Sequence, residues 1–193
     1  HRAVAWELGL WERVEPFWTL EFQRLTGFLE GMGLLWEASP RARDAALAVG
    51  ETLSAHLMVA LLEARGLRAR FMDVRSVMRT DGRHGRARPR LEALRQAAAP
   101  WRQVFDAGEC WVTQGFLGSA PDGSTTTLGR GGSDTSATLL GEALEVDEVQ
   151  IWTDVDGVLT ADPSLVPGAR PIPALSLREA AVLSAYGAKV LHA

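Results

Sequence analysis

The segment from residue 110 to residue 153 decides the fold. It contains CWVTQGFL at 110–117, a polar loop with four glycines at 121–132, SDTSATLLGEAL at 133–144 and VQIWT at 149–153. We predict a buried strand from the first of these, a helix from the third and a second strand from the last. A strand, a helix and a strand in this order are typical of a parallel sheet covered on both faces by helices. The sequence therefore predicts the α/β class, as a three-layer α/β/α sandwich with a mainly parallel sheet.

Helices are predicted along most of the chain before this segment. Apolar residues four and three apart form one helical stripe, which consists of Trp18, Phe22, Leu25, Leu29, Met32 and Trp36. The pair Ser39-Pro40 predicts the start of a second helix, and Gly66 is expected to end a further helix that passes through residues 53–61. The spacing of Ser176 and Glu179 predicts a capping box before a last helix that ends at Gly187. The remaining predicted elements are a strand at 69–74, a short helix at 91–99 and loops at 82–90 and 154–173.

The composition excludes several functional classes. The chain has 193 residues, of which 47% are hydrophobic, and a formal net charge of −4. This net charge and the lack of a basic block argue against binding to nucleic acid or to a membrane surface. The single cysteine, Cys110, excludes an intramolecular disulfide and any zinc site of several cysteines, and we expect it to pack in the interior.

The sequence also leads to expectations about where the protein is located in the cell and whether the chain is complete. The apolar run around 57–62 is too short to span a bilayer, and no secretory signal is visible. We therefore expect a soluble cytoplasmic protein. Because the chain begins with His1 instead of Met, we also expect it to be a fragment.

The first motif is TTTLGRGGSD at 125–134, a loop of hydroxyls and glycines that leads into a helix. Glycines let the backbone approach a ligand, and a helix N-terminus presents unpaired N–H groups to an anion. Arg130 is suited to a carboxylate or phosphate, and Asp134 to an ammonium group. The alternative is a capped helix after a flexible loop, in which Asp134 only complements the helix dipole.

The second motif is IWTDVDGVLTADP at 151–163, a strand that ends in a turn rich in carboxylates. These carboxylates are suited to binding Mg²⁺ or to positioning a nucleotide, and the alternative is a plain Asp-Gly turn. The portion 154–158 also resembles the nucleophile motif of haloacid-dehalogenase phosphatases, in which Asp154 would attack phosphate and Asp156 would act as acid and base. The sequence after this motif is too short for a complete phosphatase of that type.

Two further positions are weaker candidates. Glu51 lies in GETLS at 50–54, which we predict to be a helix start, and it is suited to binding an amino group. Lys189 follows the predicted end of the last helix and is suited to reaching a phosphate. His192 has no partner that the sequence identifies, and we expect it to be structural.

Together, these motifs resemble the aspartate kinase family of the amino-acid-kinase superfamily. The blocks that carry the resemblance are GFLGS at 115–119 with the loop at 125–134, WTDVDG at 152–157 with Ala-Asp-Pro at 161–163, and GAKVLH at 187–192. The resemblance implies an amino-acid-kinase-like fold that is incomplete at the N-terminus. It also implies transfer of the γ-phosphoryl group of Mg-ATP to the side-chain carboxylate of L-aspartate.

The resemblance further implies two sets of site residues. The substrate-binding set is Glu51, Phe116, Arg130, Gly131, Gly132, Ser133 and Asp134. The ATP-binding set is Thr153, Asp154, Gly157, Leu159, Ser164, Lys189 and Val190. ATP with its Mg²⁺ is the expected cofactor, no metal site is expected on the protein itself, and the intact protein is expected to be a homo-oligomer without nucleic-acid or membrane partners.

The chain also departs from the family pattern. The family begins with a strand that ends in Lys-Phe-Gly-Gly-Thr, and the regulatory ACT-type domains follow the kinase domain; neither is present in this chain. We therefore interpret the chain as a partial kinase domain, with a mainly helical substrate-side part at 1–100 and the substrate loop and nucleotide part at 101–193. We expect the isolated chain to be poorly active, and no residue of it is assigned as catalytic.

Three alternatives remain open at this point. The first alternative is a non-catalytic module that keeps the kinase fold, the second is a kinase for another acidic substrate, and the third is a phosphatase that uses Asp154 and Asp156. The first is favoured by Leu159 and Ser164, since the family usually has an aromatic and a basic residue at these positions.

Overall fold

The computed structural model describes residues 1–104, 108–153 and 157–186, and their contacts divide the chain into two compact units. Unit 1 is His1–Asp147, and unit 2 is Glu148–Ala193. The helices of unit 1 are α1 (Arg2–Glu7), α2 (Trp11–Leu35), α3 (Pro40–Ala64), α4 (Leu91–Ala98) and α5 (Gly132–Leu144). Its strands are β1 (Arg68–Met72), β2 (Glu109–Thr113), β3 (Leu117–Ser119) and β4 (Thr125–Thr127).

The strands of unit 1 form two pairs. β1 and β2 are parallel, with Arg68 opposite Glu109 and Met72 opposite Thr113. β3 and β4 form an antiparallel hairpin. A parallel pair flanked by helices confirms the predicted α/β class.

Two apolar clusters hold the elements of unit 1 together. In the first, Trp18 of α2 is fully buried and packs with residues of α1 and α3, among them Leu53 and Leu57. The second joins α4 and α5 to the β3 strand through Leu94, Leu117 and Leu140. Residues of α3 therefore form one side of the first cluster, and the hairpin of β3 and β4 contributes to the second.

Helix α3 is one continuous element, which corrects the prediction of two helices. The hydroxyl of Ser39 accepts a hydrogen bond from the Ala42 N–H over 3.2 Å, as predicted for the start of the second helix. Gly50 does not end that helix, because both of its neighbouring segments bury apolar residues and the helical hydrogen bonds continue through it. Glu51 accordingly lies inside a helix and not at a helix start.

Helix α3 is also long and apolar enough to cross a membrane, with a mean hydropathy of 1.6 over its most apolar window. The apolar run at 57–62, from which a membrane span was judged impossible, is therefore only part of a longer apolar helix. This finding is weak evidence for a membrane span, since a core helix passes the same test. Several apolar residues that α3 buries, among them Ala48 and Leu53, belong to the two clusters of unit 1.

The strand predicted at 110–117 is two strands. The break occurs at 114–116, where Gln114 uses its side chain to bind other segments and Phe116 has a left-handed backbone with φ of 67°. The predicted loop at 121–132 also contains β4, because β3 offers it an antiparallel partner. Cys110 is exposed, which corrects its predicted burial.

Two apolar segments are exposed where the sequence predicts burial. In the predicted stripe, Trp18 is buried, but Phe22, Leu29 and Trp36 are exposed, the last by 97%. Residues 149–153 form no strand, since within the described residues they have no neighbouring strand to bind. In both segments the sequence pattern identifies an apolar face, but it does not identify an element that packs against that face.

Unit 2 contains one described helix, α6 (Leu177–Ala185). The capping box of Ser176 and Glu179 is present in full, which confirms its prediction. The predicted helix end at Gly187 lies outside the described residues. Residues 157–173 consist of turns and a single bridge between Leu159 and Pro171, as expected for a loop.

Candidate functional site

A cavity of about 350 Å³ lies at the N-terminus of α5. The residues that line it come from α3, from the segment between β2 and β3, from the segment between β4 and α5, and from the first residues of α5. They are Glu51, Phe116, Gly129, Gly131, Gly132, Ser133 and Asp134. The structure thus brings six of the seven sequence-predicted substrate residues together.

Phe116 is the aromatic residue in the wall of this cavity, and hydrogen bonds hold its backbone in place. The N–H of Phe116 donates a hydrogen bond to the Ser136 hydroxyl over 2.9 Å, and that hydroxyl donates to the Gly132 carbonyl over 2.8 Å. The ring of Phe116 lies so close to Gly132 that a β-carbon there would be 2.8 Å from it. Gly131, the N-cap residue directly before α5, has φ of 71°, a backbone conformation that suits glycine. The turn of α5 that faces the cavity is therefore held in one position.

The cavity has two carboxylates. Asp134 lies in the first turn of α5, and Glu51 lies across from it on α3. Both side chains are half-buried, and burial raises the pKa of the Glu51 carboxyl above its usual value. A pair of carboxylates around a small cavity is suited to a cation such as an ammonium group.

The seventh predicted residue, Arg130, lines a second cavity of about 480 Å³ that adjoins the first. Phe116 and Gly129 belong to the walls of both cavities. The other lining residues are Pro40, Arg43, Asp44, Leu47, His84, Gly85 and Thr127. The guanidinium groups of Arg43 and Arg130 are on exposed residues and have no hydrogen-bond or ion-pair partner within the described residues. Two guanidinium groups without protein partners suit this cavity to an anion.

Asp44 is the residue of this cavity that sequence reasoning missed. Its carboxylate is completely buried and accepts hydrogen bonds from the Thr127 hydroxyl over 2.7 Å, from the Gly85 N–H over 2.9 Å and from His84 Nδ1 over 3.0 Å. It therefore joins α3 to the loop at 82–90 and to the end of β4. The sequence carries no motif around Asp44, since its partners are 40 or more residues away.

A second polar network fixes the carboxyl ends of β1 and β2. Gln114 accepts a hydrogen bond from the Val74 N–H over 3.0 Å and donates to the Thr52 hydroxyl over 3.3 Å. Asp73, directly after β1, pairs with Arg75, which also donates to the Thr125 hydroxyl over 3.0 Å. The segments that lead to both cavities are thereby tied to α3 and to the hairpin.

Burial and hydrogen bonding act in opposite directions on Asp73. Burial raises the pKa of its carboxyl, but the hydrogen bonds and the charge of Arg75, with the side chain of Gln114, outweigh burial and hold the pKa below its usual value. Asp73 is therefore ionised at neutral pH and binds Arg75 as a carboxylate.

The sequence-predicted nucleotide residues belong to unit 2 and are only partly described. Thr153 and Ser164 are exposed, and the Ser164 hydroxyl donates a hydrogen bond to Asp162. Gly157 and Leu159 are half-buried. The other three, Asp154, Lys189 and Val190, lie outside the described residues, as do Asp156 and His192. The role of this set stays a prediction.

Comparison with known proteins identifies relatives. The model of the amino acid kinase family matches residues 16–193. The lysine-sensitive aspartokinase 3 of Escherichia coli K12 is 45% identical over 177 residues, which cover 89% of this chain and 39% of that protein. The aspartokinase of Chlamydia muridarum is 40% identical over 193 residues, which cover all of this chain and 42% of that protein.

A solved structure agrees with these relatives. E. coli aspartokinase III in complex with aspartate and ADP matches with a TM-score of 0.83 and 43% identity, over 94% of this chain and 39% of that one. The chain thus spans about two fifths of the length of these relatives. The family match over most of the chain, together with this shared fold, shows that the chain belongs to the amino acid kinase family.

Proposed function

We propose that the protein that contains this chain is an aspartate kinase. It would transfer the γ-phosphoryl group of Mg-ATP to the side-chain carboxylate of L-aspartate and form 4-phospho-L-aspartate, the first step of lysine, threonine and methionine biosynthesis. The observation that supports this best is the pair of adjoining cavities, one lined by two carboxylates and the other by two arginines without protein partners. An amino acid carries both matching charges on one small molecule.

In this proposal the two cavities bind the two charged groups on the α-carbon of the acceptor. Glu51 and Asp134 bind the ammonium group, and Arg130 binds the α-carboxylate through paired hydrogen bonds. Phe116 belongs to the walls of both cavities, and Gly131, Gly132 and Ser133 line the first. The substrate-binding set derived from the family resemblance is retained as the set to test.

The acceptor carboxylate is already a nucleophile, so the reaction needs no general base. Catalysis then depends on positioning the two substrates and on neutralising the charge that develops on the phosphoryl group. We assign ATP to the nucleotide set of unit 2, with Mg²⁺ arriving as part of Mg-ATP. That set is Thr153, Asp154, Gly157, Leu159, Ser164, Lys189 and Val190.

The phosphatase alternative is not favoured. It rests on Asp154 and Asp156, whereas the family match extends over residues 16–193. A kinase for another acidic substrate and a non-catalytic module remain possible outcomes of the test. We also propose, from the same resemblance, that the intact protein is a cytoplasmic homo-oligomer and that 1–100 and 101–193 are the substrate-side and nucleotide-side parts of one kinase domain.

The deciding experiment is ADP formation by the protein at its natural full length, with and without L-aspartate and with L-glutamate in its place. Formation that requires L-aspartate and Mg²⁺ supports the proposal. Formation that requires glutamate instead moves the protein to another acceptor, and no formation with either favours a non-catalytic module.

Arg130→Ala tests the acceptor assignment within the same assay. We expect its KM for aspartate to rise about ten- to a hundredfold, since a hydrogen bond to a charged group contributes about 1.5–3 kcal/mol. Arg13→Ala is the matched control, because Arg13 is an exposed arginine of α2 that pairs with Glu63. An unchanged KM in Arg130→Ala contradicts the role of Arg130.

A further inference from the structure

A buried hydrogen bond joins Thr127, the last residue of β4, to α3. The Thr127 hydroxyl donates to Oδ1 of Asp44 over 2.7 Å, and both residues are buried. The second cavity begins directly after this bond, because Gly129 and Arg130 belong to its wall. Two residues, Leu128 and Gly129, separate Thr127 from Arg130. The bond to Asp44 thus lies at the base of the loop that carries Arg130.

The carboxylate of Asp44 also binds the loop at 82–90. The N–H of Gly85 donates to Oδ1 over 3.1 Å and to Oδ2 over 2.9 Å, and Nδ1 of His84 lies 3.0 Å from Oδ2. The same loop binds the end of β4 directly, since the Ala87 N–H donates to the Thr127 carbonyl over 2.8 Å. Asp44 therefore joins three segments, which are α3, the loop at 82–90 and the end of β4.

The backbone that leads from β4 to Arg130 is closely packed. The N–H of Leu128 donates to the Phe116 carbonyl over 2.9 Å. Gly129 has φ of 80°, and a β-carbon there would lie 3.4 Å from the Gly85 carbonyl oxygen. The guanidinium of Arg130, in contrast, has no hydrogen-bond or ion-pair partner within the described residues. The position of this guanidinium therefore depends on the backbone that carries it.

We propose that Asp44 is a positioning residue for the acceptor, which acts through Thr127 on Arg130. It fixes the end of β4 against α3 and the loop at 82–90, and so sets where the Arg130 backbone lies in the wall of the second cavity. Asp44 itself needs no contact with the acceptor, since protein donors occupy both of its oxygens. This inference rests on the proposed function, because it assigns the acceptor α-carboxylate to Arg130.

The test changes the Thr127 end of the bond. Asp44→Ala would remove all of these hydrogen bonds and leave buried donors unpaired, so it would report mainly on folding. Thr127→Val removes the hydroxyl and keeps the shape of the side chain, whereas Thr127→Ser keeps a hydroxyl at the same place.

Thr126→Val is the matched control. Thr126 is also buried in β4, and its hydroxyl lies 2.9 Å from the hydroxyl of Thr80. Successive side chains of a strand point to opposite faces, so this variant loses a buried hydroxyl without changing the bond to Asp44. It should lower the melting temperature about as much as Thr127→Val does.

The experiment measures KM and kcat for L-aspartate with the full-length protein. We expect the KM of Thr127→Val to rise about three- to tenfold, less than on removal of Arg130, because the guanidinium is displaced and not lost. Its kcat should stay within about twofold of the parent, because Arg130 binds the carboxylate that does not react. Thr127→Ser and Thr126→Val should both keep a KM near that of the parent.

Three results would overturn the inference while ADP formation from L-aspartate leaves the proposed function intact. The first is an unchanged KM in Thr127→Val. The second is an equal rise of KM in Thr126→Val, which would mean that any loss of stability in β4 weakens acceptor binding. The third is an equal rise in Thr127→Ser, which would mean that the hydroxyl is not what matters at this position.

Hydrogen exchange without substrate separates this inference from the proposed function. Residues 128–131 should exchange faster in Thr127→Val than in the parent, and at nearly the parent rate in Thr126→Val, whether or not the protein forms ADP. If the parent forms no ADP with L-aspartate, the proposed function fails and this comparison alone decides the inference. Equal exchange in Thr127→Val and the parent then overturns it as well.

Discussion

Gly132 and Phe116 are in such close contact that no side chain fits between them. A β-carbon on Gly132 would lie 2.8 Å from Cδ2 of Phe116 and 3.0 Å from Cβ of Leu128. The Phe116 backbone donates a hydrogen bond to the Ser136 hydroxyl and has a left-handed conformation with φ of 67°. The first turn of α5 and the aromatic wall of the cavity therefore form one packed unit.

We expect Gly132→Ala to destabilise the protein by about 1–3 kcal/mol, since an added methyl group in a packed interior forces side chains out of place. Urea unfolding followed by tryptophan fluorescence measures this. Gly27→Ala is the control, because nothing lies within 4 Å of a β-carbon there, and alanine is the better helix former by up to about 1 kcal/mol. Equal stability of Gly132→Ala and the parent would contradict the close packing.

We expect Glu51→Gln to stabilise the protein at neutral pH while it weakens acceptor binding. Burial raises the pKa of Glu51 in the folded state, so the folded chain holds this proton more tightly than the unfolded chain. Ionised Glu51 therefore costs stability once the pH exceeds its unfolded pKa of about 4.3, and most above the folded pKa.

Thermal melts at about pH 7 and pH 4 check this prediction, because the advantage of Glu51→Gln should be present at the first and absent at the second. Glu15→Gln, a change at an exposed position of α2, serves as the control. A lower melting temperature for Glu51→Gln at neutral pH would show that the carboxylate stabilises the fold instead.

We expect Asp73→Asn to lower stability at neutral pH and to lose this effect in acid. The pKa of Asp73 is lowered in the folded state, so its contribution is fully present above the unfolded value of about 3.9 and is lost as the pH falls through the folded value. The two stability curves should therefore converge below about pH 3.9. Melting temperatures measured from neutral to acid pH test this, and curves that stay parallel would contradict it.

We expect Ser176→Ala to weaken the start of α6. Loss of an N-cap side chain costs about 1 kcal/mol, which corresponds to about fivefold faster amide exchange where local opening limits it. Hydrogen exchange over Leu177–Ala185 measures this effect. Glu179→Gln retains an oxygen that accepts from the Ser176 N–H and should change exchange much less. Equal exchange in Ser176→Ala and the parent would mean that the cap does not limit opening.

The sequence was sufficient to predict the elements that depend on residues close to one another in the chain. The caps at Ser39 and Ser176 and the short helix from Leu91 depend on neighbours a few residues away, and the structure has all three. The helix predicted after the glycine-rich loop was found for the same reason, since Gly129 and Gly131 directly precede α5, although residues 125–127 of the predicted loop form β4. The family resemblance then grouped Glu51 with this loop, which no spacing in the sequence predicts.

The errors occurred where distant partners decide the structure. Gln114 interrupts the predicted strand because it binds Val74 and Thr52, which are 40 and 62 residues away. Trp36 continues a helical stripe by its spacing, yet it is exposed. Asp44 was missed because its importance comes entirely from the loop and the strand that bind it. Periodicity shows which face of an element is apolar, but it does not show what packs against that face.

The continuity of α3 has a consequence for how the walls of the two cavities can move. Asp44 lies at the wall of one cavity and Glu51 at the wall of the other, seven residues apart on the same unbroken helix. At a rise of about 1.5 Å per residue, these two positions are separated by about 10.5 Å along the helix axis, and this spacing can change only if the helix bends. The helix therefore acts as a rigid strut between the two cavities, and neither of these two walls can shift along the helix axis without the other.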